Sequence, residues 1–118
     1  MKALLEPIKE IARFDELFRD LKKGTAGVTV ISGCLESQKA HMIAGLSEDV
    51  PVRLLIAENE LKAKELYEDY RLYDAETLYY PAKDLIFYQA DIHGNLLIRQ
   101  RLQVIQALLE RKEVTIIT

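Results

Sequence analysis

The stretch Val28–Leu46 reads VTVISGCLESQKAHMIAGL, and the interpretation of the whole chain depends on it. It begins with the β-branched run Val28–Ile31, which favours an extended strand. A serine, a glycine and a short polar loop follow, and then residues 37–46 show the apolar spacing of an amphipathic helix. The stretch therefore predicts a strand, a glycine turn and a helix in direct succession.

This layout is that of a phosphate-binding loop, in which backbone N–H groups at a helix N-terminus hold an anion. The pattern of such a loop is G-x-x-x-x-G-K-[ST]. The chain keeps the first glycine as Gly33 and the lysine as Lys39. Gln38 replaces the second glycine, and Ala40 replaces the hydroxyl residue that holds Mg²⁺. A Cβ at position 38 lies where the backbone must approach phosphate closely.

We therefore interpret Gly33, Gln38, Lys39 and Ala40 as a vestigial loop that serves as scaffold. No catalytic residue, no bound cofactor and no metal is expected for this chain. The alternative is a nucleotide-binding lobe of a helicase-like ATPase with an atypical loop, in which Lys39 contacts the phosphates. The replacements at positions 38 and 40 weigh against that alternative.

The other reactive side chains lack partners at useful spacing. Cys34 lies beside the predicted helix N-terminus, but the sequence offers it no adjacent histidine or second cysteine that would make it a nucleophile. His41 and His93 have no partners at metal-ligand spacing, so no metal site is predicted. His41 is expected on the solvated side of its helix.

Apolar runs and helical periodicity alternate along the rest of the chain. Helices over 3–12 and 14–23 predict an N-terminal helical segment of residues 1–24. Further strands and helices are predicted at Val52–Ala57 (strand), 59–72 (helix), Thr77–Tyr80 (strand), 94–112 (helix) and Val114–Ile117 (strand). Residues 25–118 therefore predict an α/β lobe with a parallel sheet of about four strands flanked by helices, P-loop NTPase-like and of the RecA or helicase-lobe type.

The same periodicity predicts which faces of these strands and helices are buried. The continuous apolar character of Val52–Ala57 predicts a strand that is buried on both faces. Asn59 is a predicted N-cap. The two later helices each carry an apolar face: Ala63, Leu66, Tyr67 and Tyr70 in the first, and Ile98, Leu102, Ile105 and Leu109 in the second.

Composition narrows the function classes. A chain of 118 residues is long enough for one domain with one core. The net charge of −3, with acidic and basic residues interleaved, argues against the basic face of a nucleic-acid-binding domain. A single cysteine and the lack of a signal peptide suggest the cytoplasm. No apolar run approaches the ~20 residues that span a bilayer, so no membrane association is expected.

Two surface features have alternative interpretations. The acidic residues Glu58, Glu60, Glu65, Glu68 and Asp69 alternate with lysines and predict a solvated helix surface. Tyr79 and Tyr80, with Lys83 nearby, are able to stack on nucleic-acid bases. The competing interpretation is a strand with one ring in the core and one at its rim.

Several segments together resemble the UvrB family of bacterial excision repair. They are, in order, Leu55–Asn59, a helix, Tyr80–Asp84, Asp91, Arg101-Leu102 and Leu109–Ile117. The resemblance covers about residues 10–118 and is closest to the N-terminal UvrB-homology module of the transcription-repair coupling factors, Mfd. UvrB itself has an intact phosphate loop and a tyrosine-rich β-hairpin that probes damaged DNA. Here the loop is degraded, and residues 74–78 lead directly into Tyr79 with no room for the hairpin.

The resemblance implies a non-catalytic lobe of a large cytoplasmic parent that displaces stalled RNA polymerase with an ATP- and Mg-dependent DNA translocase elsewhere in its chain. The UvrB-like module recruits the excision machinery through UvrA and restrains the idle parent through its other domains. DNA is bound by other parts of the parent. The principal UvrA-binding surface of the family follows this lobe, so no binding residue is transferred to this chain. Because the chain ends in the apolar run Val114–Thr118, we expect an N-terminal fragment.

Overall fold

The computed structural model describes residues 2–24, 27–82, 92–110 and 113–118. The chain divides into two compact units, Met1–Asp49 and Val50–Thr118. The first unit is helical, and the second is α/β with a three-stranded parallel sheet. The predicted boundary between residues 24 and 25 falls inside the first unit. Within the described residues, no helix combines the length and apolar character needed to cross a membrane.

The first unit contains two 3₁₀ turns and two α-helices. The turns are Lys2–Leu4 and Glu6–Glu10, and the helices are α1, Phe14–Lys22, and α2, Glu36–Leu46. The predicted continuous helix over residues 3–12 is thus wrong, since Pro7, which lacks an N–H, restricts this segment to short turns. Both α-helices are confirmed to within one residue of their predicted bounds.

The core of the first unit forms where Gly45 of α2 meets the preceding segment. Ile8 and Phe14 are buried, with 2% and 4% of their surface exposed. A Cβ at Gly45 would lie 2.8 Å from Cγ2 of Ile8 and 3.3 Å from Cζ of Phe14. Glycine therefore permits a close approach that no larger residue allows without movement of its neighbours.

We predict that Gly45→Ala destabilises the first unit by about 1–2 kcal/mol. Overpacking costs about 1–3 kcal/mol, and the better helix propensity of alanine offsets up to about 1 kcal/mol of that cost. Thermal unfolding followed by helical circular dichroism measures the effect. Gly27→Ala is the matched control, because a Cβ there meets nothing within 4 Å. Equal stability of the two variants would contradict the packing assigned to Gly45.

The described residues of the second unit form three strands and two helices. Their bounds are β1, Val52–Leu55; α3, Glu60–Tyr70; β2, Leu78–Tyr79; α4, Ile92–Leu109; and β3, Val114–Ile117. The strands are parallel in the order β1-β3-β2, so the last strand of the chain lies in the middle of the sheet. Ile116 is in register with Leu54 on one side and with Leu78 on the other. The predicted fold is confirmed at the level of a parallel α/β sheet flanked by helices.

The helices pack on β2 and β3 from opposite sides. Val104 of α4 lies in a cluster with Val114 and Ile116 of β3. The alternate residues of the strands face α3, whose Tyr67 ring lies 5.8 Å from the ring of Tyr79. The predicted cap of α3 is confirmed, since Asn59 Oδ1 accepts a hydrogen bond from the Lys62 backbone N–H at 2.9 Å.

Two strand predictions are wrong. Val28–Ile31 forms no strand, so the sheet has three strands where about four were expected. Val28 and Val30 are 89% and 84% exposed, which shows that β-branched residues alone do not place a segment in a sheet. β1 is not buried on both faces either: Leu54 is 62% exposed, because α4 packs on β2 and β3 and not on β1.

A polar cluster joins β1, β3 and the turn after α3. Nη1 of Arg53 donates hydrogen bonds to Asp74 Oδ2 and Thr115 Oγ1, both at 3.0 Å. The Thr115 hydroxyl donates in turn to Asp74 Oδ2 at 2.6 Å. The side chains of Arg53 and Asp74 are only 15% and 22% exposed. We call Arg53, Asp74 and Thr115 the sheet clamp.

We predict that Asp74→Ala destabilises the second unit by about 2–4 kcal/mol, because Arg53 then remains largely buried without its carboxylate. Tyrosine fluorescence in a urea titration measures this unit alone, since all six tyrosines lie within residues 67–88. Asp69→Ala, at an exposed acid of α3, should change stability by less than about 0.5 kcal/mol. A similar urea midpoint for both variants would show that the clamp contributes little.

Candidate functional site

The vestigial loop is closed by its own side chains. Gly33 has φ +82°, a left-handed conformation that favours glycine, and α2 begins three residues later. Gln38 Oε1 accepts a hydrogen bond from the Leu35 backbone N–H at 3.2 Å. That N–H is one of the unpaired donors that a helix N-terminus offers to an anion. Gln38, which replaces the second glycine, thus accepts a hydrogen bond from an N–H group that a phosphate loop would offer to its anion.

The lysine of the loop is also engaged. Lys39 Nζ lies 2.6 Å from Glu36 Oε1, in an ion pair on the first turn of α2. Both side chains are at least half exposed, so the pair is weak in energy. The pair nevertheless has a chemical effect. A phosphate that approaches Lys39 must compete with the Glu36 carboxylate for the ammonium group, and the carboxylate repels it.

The remaining parts of a magnesium-nucleotide site do not assemble around this loop. Val28–Ile31 lies outside the sheet, so the loop does not follow a sheet strand as a phosphate loop does. Ala40 is 1% exposed and belongs to the core of the first unit. A methyl group at this position contributes to packing and offers no ligand to a metal. Across the described ranges, no three His, Cys, Asp or Glu side chains group closely enough to hold a metal ion.

An open groove of about 720 Å³ lies beside the loop within the first unit. Its walls come from α1, from residues 30–34 and from α2. At its rim, Arg13 Nε lies 3.0 Å from Glu16 Oε2, and this contact lowers the pKa of Glu16 and raises that of Arg13. Cys34 is half-buried in the groove as a free thiol. Its lining residues include no histidine that would activate the thiol.

The two histidines occupy different units. His41 is half-buried, and its Nε2 lies 2.6 Å from the Leu4 carbonyl oxygen, so the expected solvated position is wrong. Since a carbonyl oxygen only accepts hydrogen bonds, this contact places a proton on Nε2. The ring therefore ties α2 to the first 3₁₀ turn. His93 lies within α4 of the second unit.

The tyrosine pair is used for packing. Tyr79 is 8% exposed and lies against Tyr67. Tyr80 is half-buried, its hydroxyl accepts a hydrogen bond from Arg101 Nη2 at 2.7 Å, and the guanidinium lies 4.6 Å from its ring centroid. The prediction of one core ring and one rim ring is confirmed. Lys83, the third residue of the nucleic-acid interpretation, lies outside the described residues, as do Asp84 and Asp91 of the resemblance.

The acidic residues of α3 form a solvated surface, as predicted. Glu60 and Lys64 pair at 2.7 Å, and Lys62 and Glu65 pair at 2.8 Å, all with exposed side chains. The sequence interpretation did not anticipate the sheet clamp or the Glu36–Lys39 pair. Arg53 was nevertheless a detectable signal, because it is the single charge in the apolar run Val52–Ala57. An isolated charge at such a position requires a partner from elsewhere in the fold.

No family model, no curated protein and no solved structure matches this chain.

We predict that Tyr79 weakens the fold at alkaline pH. Burial raises the pKa of Tyr79 above its ordinary value of 10.0; the Glu60 carboxylate raises it further and Lys64 partly opposes them. The folded state therefore holds the phenol proton more tightly than the unfolded state. This contribution to stability is complete below about pH 10 and is lost as pH rises through the folded pKa.

Urea unfolding at a series of pH values from about 8 to 11 measures this loss. Tyr79→Phe should lose less stability across that range than the unsubstituted chain. Glu60→Gln should give a smaller reduction of the same sign, because it removes only the second cause. Identical pH profiles for the Tyr79→Phe variant and the unsubstituted chain would contradict the assignment.

Proposed function

We propose that this chain is a non-catalytic lobe of a transcription-repair coupling factor, part of a UvrB-like module in a larger parent. In this proposal the lobe is scaffold. The parent's translocase, driven by ATP and Mg, displaces stalled RNA polymerase, and the module recruits UvrA. Residues 25–118 would then be a degenerate P-loop NTPase lobe of the helicase type. The resemblance of the ordered segments Leu55–Asn59, Tyr80–Asp84 and Leu109–Ile117 motivates this proposal.

One observation carries the non-catalytic part: the loop's phosphate-binding groups are engaged by the chain's own side chains. Gln38 uses the Leu35 N–H, and Glu36 pairs with Lys39. Gln38 and Glu36 both belong to the loop itself. The groups of the loop are therefore engaged without any contact from a distant part of the chain. The phosphate-loop pattern has glycine at the position of Gln38, and the carboxylate of Glu36 competes with a phosphate for Lys39. A scaffold lobe tolerates Gln38 and Glu36, since they stabilise the start of α2.

The candidate tyrosines and the charged surface of α3 bear on the alternative of nucleic-acid binding. The tyrosines that were candidates for base stacking are held by Tyr67 and Arg101. The surface of α3, on which glutamates pair with lysines, is not the basic face that binds nucleic acid. These features favour a role in protein assembly over direct DNA binding. Contacts with UvrA, RNA polymerase and DNA would belong to the rest of the parent.

We predict that millimolar Mg-ATP leaves the thermal unfolding of this chain unchanged. The measurement must follow helical circular dichroism, because the loop lies in the first unit and that unit contains no tyrosine. A ligand present at ~100 times its dissociation constant adds about 2.7 kcal/mol of stability. For a small unit this corresponds to a shift of roughly 10 °C or more, which is readily observed.

Two variants make the result interpretable. Lys39→Ala removes the cation, and any shift that survives in this variant does not arise from a phosphate loop. Glu36→Gln removes the competing carboxylate and tests whether the loop regains anion binding on its own. A shift of several degrees in the unsubstituted chain, lost in Lys39→Ala, would contradict the scaffold proposal and support the alternative of an atypical nucleotide-binding lobe.

The regulatory part of the proposal needs the parent protein. If the UvrB-like module restrains the idle translocase, removal of the module should raise the ATPase rate of the parent in the absence of RNA polymerase. An unchanged ATPase rate would contradict the proposed restraint of the parent by the module, whatever the outcome of the Mg-ATP experiment.

A further inference from the structure

The helix α4 has two apolar faces, and the residues that the structure describes cover only one of them. Its first face, which includes Val104 and Ala107, packs on the sheet. Its second face consists of four side chains that we call the α4 seam, with exposed fractions of 56%, 58%, 46% and 78%: Ile98, Leu102, Ile105 and Leu109. Burial of each such side chain is worth about 1.5–3 kcal/mol, so an uncovered seam favours association.

The spacing of the seam identifies the kind of surface that fits it. Successive seam residues are separated by four, three and four positions, which is the apolar repeat of a helix that packs against another helix. At ~100° per residue these side chains fall within roughly 60° of one another, a narrow stripe distinct from the face on the sheet. An α-helix with the same spacing is the matching partner.

We propose that the α4 seam pairs with the α4 seam of a second copy of this chain, with the two helices antiparallel. The spacing of four, three and four is symmetric about its centre. In an antiparallel pair Ile98 therefore faces Leu109 of the other copy, and Leu102 faces Ile105. Both contacts occur twice around a two-fold axis, as a closed dimer requires.

The charges beside the seam favour this orientation. Arg99 flanks one side and, among the described residues, has no ion-pair partner. Towards the other end of the same side, Gln106 Nε2 donates a hydrogen bond to Glu110 Oε1 at 2.8 Å. Antiparallel pairing brings Arg99 of each copy beside the Gln106–Glu110 pair of the other. Parallel pairing would leave both copies of Arg99 near other positive or neutral residues and offer them no carboxylate.

The contact is short, so the dimer should be weak. The 18 residues of α4 span ~27 Å, and the seam occupies part of that length. Such a contact buries less than the ~1,600 Å² of a standard interface, which places association in the micromolar range or weaker. This inference depends on the second unit alone and is independent of the proposed function.

The mass of the 118-residue chain in solution tests the proposal, measured by sedimentation equilibrium from low micromolar to roughly 500 μM. We expect a monomer–dimer equilibrium that shifts to the dimer at the upper concentrations. Leu102→Glu, in the centre of the seam, should leave only monomer over this range. Gln103→Glu introduces the same charge at the neighbouring exposed position outside the seam and should retain the dimer. Helical circular dichroism confirms that both variants are folded.

A charge exchange provides a second test that does not alter the seam. Arg99→Glu should weaken dimerisation roughly three- to ten-fold, since two rim ion pairs are lost per dimer. Adding Glu110→Arg to that variant should restore the affinity. Failure of the restoration would contradict the antiparallel arrangement.

Orientation is tested directly by cross-linking in a Cys34→Ser background. The chain with both Ile98→Cys and Leu109→Cys should form a disulfide-linked dimer on oxidation, while either substitution alone should not. Efficient cross-linking of the single variants would instead indicate a parallel pair. A monomer at every concentration, a larger assembly, or a dimer that survives Leu102→Glu would overturn the proposal.

Discussion

The second unit depends on the placement of β3 in the middle of its sheet. Of the strands in the described ranges, β3 alone has every residue buried, and it pairs with both β1 and β2. Because it is also the last strand in the chain, both pairings join residues that are distant in sequence. The sheet clamp lies across this arrangement: Arg53 comes from β1, Thr115 from β3 and Asp74 from the turn after α3. The clamp places polar partners where a slipped register would leave a largely buried guanidinium unpaired.

The elements that the sequence predicted well are those whose signals are local. α1, α2 and α3 follow from helical periodicity, and the Asn59 cap depends on a backbone N–H only three residues away. Residues 28–31 have as strong a β-propensity as residues 114–117, yet only the second segment lies in the sheet. Propensity describes how a residue fits an existing sheet, and the position of that sheet is decided by distant partners. The same limit explains β1, whose exposed face depends on where α4 packs.

The candidate site, too, could be predicted only in part from the sequence. That Gln38 and Ala40 abolish the phosphate-loop pattern is visible in the sequence alone. What these two residues do in the fold required side-chain geometry: Gln38 Oε1 accepts a hydrogen bond from the Leu35 N–H, and Ala40 lies in the core. Both contacts stabilise α2. A loop that must bind phosphate keeps its N–H groups free, at a cost to the isolated helix end.

The two apolar faces of α4 differ in whether the described residues cover them. One face is required by the sheet, since Val104 completes the cluster with Val114 and Ile116. The seam on the other side of α4 packs on no described strand of the second unit. Leu96 and Leu108 of α4 are also exposed and lie outside the seam, but the four seam residues keep helix-packing spacing, and Arg99 and Gln106 lie beside them. That regularity is the physical reason to treat the stripe as a surface for another helix and not as an incidental exposure.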